Sequence, residues 1–367
     1  MRNVMRVFSV ILLVLIGATF TTGPAGLFAQ LSPGSMTLKL WVGILLIYYF
    51  IATIFPIDKI IGRAYPIFGI LLIIMCVGMI GGIFAGPYHL PEMSLVNEHP
   101  AKTPIWSIMF ITVACGACSG FHSTQAPLIA RCIDDERKNR KIFYGAMVAE
   151  GVIALIWAAV GMTYYGGTQG LFQAGLAVHN NKSAMVYNIG KGLLGPVGAV
   201  LTVIGVGVCP ITSADTAFRS ARLTISDWFH VDQKKISHRL AIAIPLFVVG
   251  ATLTQLDFSI IWRYFSFANQ TLAMIVLWAG AAYLCKWKKH SMLSLMVALP
   301  ATFMSAVTCT YFFMAGECLN LSTSIAYPAG IIFAIACFVI YIVRGVVPTW
   351  KEGGESDKAA PAEGSAA

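Results

Sequence analysis

The sequence predicts an all-α, polytopic integral membrane helical bundle of about ten transmembrane helices, and three observations carry that prediction. Hydrophobic residues make up 57% of the chain and charged residues only 11%, whereas soluble domains average about 25% charged. Apolar runs of about 20 residues, the length needed to cross a hydrocarbon core of about 30 Å, recur along all but the last part of the 367 residues. The basic residues, finally, alternate between the loops in a way that fixes a topology. A soluble globular reading is excluded, and the mean hydropathy of +0.76 agrees.

Taken in order, the crossings are expected over 7–30, 38–56, 65–85, 105–127, 143–165, 192–213, 239–256, 264–285, 291–314 and 323–343. With both termini inside, 20 of the 25 basic residues fall on the inner side, and only Lys39, Lys102, Lys182, Lys191 and Arg263 fall outside. Lys and Arg accumulate in cytoplasmic loops. The net charge of +9 is therefore accounted for without a nucleic-acid partner, and the lipid bilayer is the partner implied. Arg2 and Arg6 ahead of Val7–Ile16 could also open a signal peptide; the competing reading is a retained helix loosened near Thr21-Thr22-Gly23-Pro24. Segment 86–104 reads as an outside loop and 166–190 as holding a short helix on the outer surface. Segment 214–238 reads as an inside helix with a charged loop. The tail from Lys351, rich in Gly, Ala, Glu and Ser, is expected to be disordered.

The stretch Cys115-Gly116-Ala117-Cys118-Ser119-Gly120-Phe121-His122-Ser123-Thr124-Gln125-Ala126-Pro127 places polar side chains, two glycines and a proline inside an apolar crossing. Within hydrocarbon every backbone N–H and C=O needs a partner, so a helix opens only in protein or beside water. Transporters use such openings to bind solutes near the midplane. His122 is the one histidine of seven deep in an apolar crossing. A kinked packing helix of small residues is the plain alternative. Cys115-x-x-Cys118 with His122 lacks a second ligand cluster, so no metal, cofactor or redox pair is assigned.

A second break is expected across Gly205–Thr216, where Pro210 removes a helix hydrogen bond. Thr212, Ser213 and Asp215 could there coordinate a cation or accept a proton; equally, Thr212 or Ser213 could cap a following helix with Asp215 in its first turn. Glu150, about two turns into its crossing, is a proton-relay residue or is neutralised by a neighbouring helix. Asn269-Gln270-Thr271 add amides and a hydroxyl at a helix start, after Trp262 and Tyr264, which suit an interfacial belt. No nucleophile–base set appears, and no catalytic or metal residues are assigned.

Several of these stretches carry a likeness. Ser119–Pro127, Phe143-Tyr144-Gly145-Ala146-Met147-Val148-Ala149-Glu150-Gly151 with Ala154–Ala159, and Thr212–Arg222 resemble the carbon-starvation protein A (CstA) family. So do Trp262-Arg263-Tyr264-Phe265 with Asn269-Gln270-Thr271, Met5–Ser9 and Pro56–Gly62. The resemblance covers nearly the whole chain. It implies a multi-pass permease of the bacterial inner membrane, of the carbon-starvation stress response, taking up peptides or, in relatives, pyruvate with protons, on an inverted-repeat architecture with discontinuous helices. Family members begin with further helices, including a His-His and Gly-Pro-rich segment, that this sequence does not show. The chain is therefore expected to start partway into the core, with a late start, a decayed gene or a companion chain supplying the rest.

On this reading 1–190 is a transporter core, 191–347 a five-helix unit and 348–367 a cytoplasmic tail. Ser119, Gly120, His122, Ser123, Thr124, Gln125, Asn269 and Gln270 are expected to bind substrate. Glu150, Thr212, Ser213 and Asp215 are expected to couple H⁺ or Na⁺, and Arg219 to contact an anion. The alternative is a non-transporting membrane subunit or sensor that needs a companion chain.

Overall fold

The structure is a computed structural model that describes residues 2–32, 34, 36–55, 58–92, 94, 96–179, 181–287 and 293–348, with backbone alone at 2, 58–65, 113–117 and 287. Among the described residues there is no strand. Twelve α-helices follow one another: α1 (Arg2–Leu31), α2 (Leu38–Ile54), α3 (Asp58–Ala85), α4 (Ile108–Ala117), α5 (Gly120–Ala130), α6 (Gly145–Tyr164), α7 (Thr168–Ala177), α8 (Lys182–Phe229), α9 (Ile236–Leu253), α10 (Phe258–Trp287), α11 (Leu293–Met314) and α12 (Thr323–Tyr341). Among the described residues eight helical stretches are long and apolar enough to cross a membrane, and α2 is a shorter apolar helix. Each of the ten expected crossings falls on helix, with α4 and α5 sharing one. The tail from 349 onward lies outside the described residues, as do the side chains of Lys59, Arg63 and Cys115.

The described chain forms two compact units, Met1–Thr103 with Thr124–Phe265, and Pro104–Ser123 with Ser266–Ala367. The division expected at 190 falls instead inside α8 and inside the first unit, because α8 packs principally along α1 and α3.

In the first unit the up-and-down course of the helices follows from contacts at their ends. Trp41 Nε1 donates to Ser32 Oγ at 3.1 Å, and Ser183 Oγ donates to the Gly23 carbonyl at 3.1 Å. The end of α1 is thus joined to the starts of α2 and α8. At the other end, Arg219 Nη2 reaches the Ala52 carbonyl at 2.9 Å and Arg239 Nη1 the Ile54 carbonyl at 2.8 Å. Both are among the last carbonyls of α2, which have no intrahelical partner and carry the negative end of the helix dipole. Phe55 leaves the helix in an extended conformation, as a residue preceding proline tends to.

Two prolines behave differently from expectation. Helix α1 runs unbroken through Pro24. The Phe20 carbonyl, which would have bonded an N–H at position 24, instead accepts the Tyr49 hydroxyl at 3.2 Å. The expected break at Gly205–Thr216 is likewise not formed: α8 is continuous through Pro210, and its non-helical residue is Gly195 (φ 65°, ψ −155°). Ser183 meets Gly23 and Gly26, while Gly207 meets Leu27 and Phe28 on the same stretch of α1. A straight helix would place those residues about 36 Å apart. The chain therefore folds back at Gly195, whose positive φ costs glycine little. A Cβ on Gly198 would collide with the Gly190 carbonyl, and one on Gly190 with the Thr202 side chain. The short helix expected near 166–190 is α7, followed by the first arm of this hairpin.

In the second unit α11 packs along α12 and touches α4. Ile111, Val307, Tyr311 and Ala315 form its core with Trp106, Phe110 and Phe267 around them. Trp278, Tyr341 and Cys285 build a second cluster with Ala281 and Ala298.

Candidate functional site

The predicted opening of the fourth crossing is present, and it lies between α4 and α5, at Cys118 and Ser119. Breaking the helix there orphans the first N–H groups of α5. One of them is satisfied from the second unit's own helix: Phe121 N donates to Asn269 Oδ1 at 2.8 Å, and Ser119 Oγ donates to the same oxygen at 3.2 Å. Asn269 is fully buried. It acts as a cap delivered from another helix, the role asparagine usually fills from within the chain. Gly120 is required at the contact, since a Cβ would strike the Asn269 carbonyl and lie 2.7 Å from Leu272 Cβ. Gln270, also fully buried, donates from Nε2 to the Ile111 carbonyl of α4 at 3.4 Å, so adjacent residues of α10 hold both sides of the break. Ser123 Oγ closes on the Gly120 carbonyl at 2.6 Å. His122 is half-buried with its ring 6.4 Å from that of Phe121.

The spare atom in this arrangement is Asn269 Nδ2, a buried donor without a hydrogen-bond partner among the described residues. Leaving such a group unpaired costs about 1–3 kcal/mol. It is a group that a solute oxygen could satisfy. The placement also corrects the sequence reading in one respect. Asn269-Gln270-Thr271 do not start a helix: Asp257 caps the first turn of α10 through Ser259 N at 2.8 Å, putting the amides in mid-helix, where they can meet the break.

The first unit holds the other predicted residues. Gln125 Nε2 bonds Ser220 Oγ at 3.2 Å and Thr124 Oγ1 at 3.0 Å. One turn before Ser220, Asp215 is 2% exposed and forms an ion pair with Arg219 at 3.4 Å. Tyr49 lies within electrostatic reach of that carboxylate. Asp215 and Arg219 thus lie one turn apart on α8, and Ser220, next to Arg219, meets Gln125 of α5. A buried carboxylate is costly and is retained where it has a function or a full set of partners.

Other candidates are placed elsewhere. Thr212 Oγ1 donates to the Cys209 carbonyl at 2.8 Å, inside a continuous helix. Neither Thr212 nor Ser213 caps a helix start, and Asp215 occupies no first turn, because α8 does not stop before Phe229. Glu150, half-buried on α6, lies within electrostatic reach of Cys209 on α8. Sequence reasoning passed over Tyr49, Ser220 and the bend at Gly195. The dipeptide Gly195-Pro196 was a legible sign of the bend, whereas Tyr49 and Ser220 carry no local pattern at all. Outside the crossings, burial and then Glu317 beside it push the Cys318 thiol up. The Tyr165 hydroxyl donates to the Met185 carbonyl at 3.2 Å.

A helical bundle of apolar crossings, one of them opened around buried amides, defines a polytopic membrane protein with a discontinuous helix. The chain belongs to the carbon starvation protein CstA family, whose profile, described as Carbon starvation protein CstA, matches residues 1–174. It is 42% identical over 153 residues to an uncharacterized membrane protein of Haemophilus influenzae, covering 36% of this chain and 41% of that one. It is 23% identical over 356 residues to the peptide transporter CstA of Bacillus subtilis, covering 84% and 58%. To the pyruvate/proton symporter BtsT of Escherichia coli it is 29% identical over 115 residues, covering 30% and 16%. The chain thus spans less than two thirds of the length of each of these relatives.

Proposed function

We propose that this chain is a secondary transporter of a bacterial inner membrane, with both termini cytoplasmic. Its substrate is a peptide or a small organic acid such as pyruvate, taken up with protons. The observation that carries the reading is the helix opened at Cys118–Ser119 and held by Asn269 and Gln270. A polar backbone break in an apolar crossing is tolerated where it serves a solute path. The names of the Bacillus and Escherichia relatives support transport and the two substrate classes. In this reading Ser119, Gly120, His122, Ser123, Asn269 and Gln270 contact substrate in the second unit. In the first unit Thr124 and Gln125 are the polar groups assigned to substrate, Asp215 and Glu150 carry protons, and Arg219, paired with Asp215, contacts an anion. Thr212 and Ser213 have a smaller part, since the hydroxyl of Thr212 is spent on its own helix.

The test is uptake of labelled pyruvate or a labelled dipeptide by proteoliposomes holding the full chain. Uptake should follow an imposed proton gradient, collapse with a protonophore, and be lost in the double variant His122→Ala, Glu150→Gln. Undiminished uptake in that variant removes this site assignment; no gradient-driven uptake of either substrate removes the transport reading.

A further inference from the structure

The first unit contains a cavity of about 630 Å³, lined by none of the substrate or proton-coupling residues named above, where the C-terminal end of α1 meets the N-terminal ends of α2, α8 and α10. Its wall includes Lys39, Lys182 and His179, with Asp257 as the one carboxylate, and the amides of Gln30 and Gln255. Only five of the 25 basic residues belong to the side of the membrane that the charge bias makes the outer one. Two of those five, from helices far apart in sequence, stand in this single cavity. Neither lysine has an ion-pair or hydrogen-bond partner among the described residues. Both sit at the positive ends of helix dipoles, where a lysine is unfavourable unless an anion comes between. The caps Thr37, Asn181 and Asp257 satisfy one N–H each of their helices. His179 holds a left-handed backbone (φ 51°) in the loop just ahead of α8, a conformation retained at cost. The volume lies in the range of small-molecule sites, about 300–1,000 Å³.

We propose that this cavity is a binding site for a small carboxylate anion, with Lys39 and Lys182 as its charged contacts, and that it receives the substrate before passage. The second half of this statement rests on the transport reading; the first does not. Lys39 and Lys182 attract the anion and offer charge-assisted donors to its carboxylate. Asp257 opposes them and keeps the net charge low enough for release. The amides of Gln30 and Gln255 suit the peptide groups or keto oxygen of the same solute. The site is selective for carboxylates over cations of similar size.

Equilibrium binding of labelled pyruvate and labelled glycylglycine to the full chain in nanodiscs tests the site, alongside uptake by proteoliposomes from the same preparation. The double variant K39Q/K182Q should weaken binding about tenfold or more, while K39R/K182R should retain it and D257N should tighten it. Both lysines are exposed, so unchanged circular dichroism and melting are expected in every variant. Equal affinity in the wild type and K39Q/K182Q, or no carboxylate binding to the wild type, overturns the site. Inorganic phosphate competing as strongly as pyruvate overturns the carboxylate assignment. Lysine-dependent binding without gradient-driven uptake leaves the site standing and removes the transport reading. Uptake with an unchanged KM in K39Q/K182Q does the reverse.

Discussion

At the scale of single residues, most of the chemistry rests on groups that replace a missing helical hydrogen bond. Asn269 supplies the acceptor for Phe121 N where α4 and α5 separate. Replacing it by alanine removes the acceptor for that N–H, at about 1–2 kcal/mol. Asn269→Ala should therefore lower the melting temperature in detergent and weaken substrate binding together. Asn269→Leu, similar in size, should be as damaging, since it is the oxygen that counts. Tyr49 does the same service for Phe20, whose carbonyl Pro24 deprives of a partner. Tyr49→Phe should cost about 0.5–1.5 kcal/mol. In Pro24→Ala, where position 24 regains its N–H, the same substitution should cost little, so a double-mutant cycle would return a coupling close to the value of the bond itself. Neither partner is visible in the sequence: Asn269 follows Phe121 by 148 positions, and Tyr49 follows Phe20 by 29.

Among elements, α8 departs furthest from a regular helix and is the clearest case of tertiary contacts deciding where a helix bends. Pro210 stands in an unbroken stretch and Gly195 at the reversal, although both positions offered helix-breaking residues. The first arm finds a partner helix in α3, with Leu193 and Leu194 against Gly82 and Gly78, and a second in α1 through Ser183. No comparable gain awaits a bend at 210. Gly198→Ala and Gly190→Ala should each destabilise by about 1–3 kcal/mol, because the added methyl meets backbone or a fixed side chain that cannot retreat; Gly195→Ala should cost about 1–3 kcal/mol, because its φ of 65° with ψ of −155° is a conformation essentially reserved for glycine. Pro210→Ala should be neutral or mildly stabilising, since it restores a hydrogen bond without moving the helix. Thermal melts of the four variants would rank these effects. The broken crossing was legible because two glycines, a proline and five polar residues crowd one apolar run. The actual fold-back was not, because its signal is a single Gly-Pro pair whose meaning depends on what the two arms then touch.

For the whole molecule, the distribution of charge and the helix ends speak to one topology. In the first unit the ends of α1 and the starts of α2 and α8 lie together, while the end of α2 meets Arg219 of α8 and the start of α9. The charge bias adds the orientation. Single cysteines at Asn139, beside the basic loop, and at Asn181, at the head of α8, provide the check. In sealed right-side-out vesicles a membrane-impermeant maleimide should label Asn181→Cys and spare Asn139→Cys until the membrane is opened; the opposite pattern would invert the topology.

Composition, run length and the placement of basic residues were enough to determine that this chain is a helical membrane protein and roughly where its crossings lie. These properties are set locally, by the cost of exposing charge or unpaired backbone to hydrocarbon, so each segment declares itself without reference to its neighbours. The pairing of α1 with α8, the bend at Gly195 and the capping of α5 by Asn269 were decided by tertiary structure alone. Each joins segments distant in sequence, and the free energy that selects it resides in the contact and in neither partner by itself.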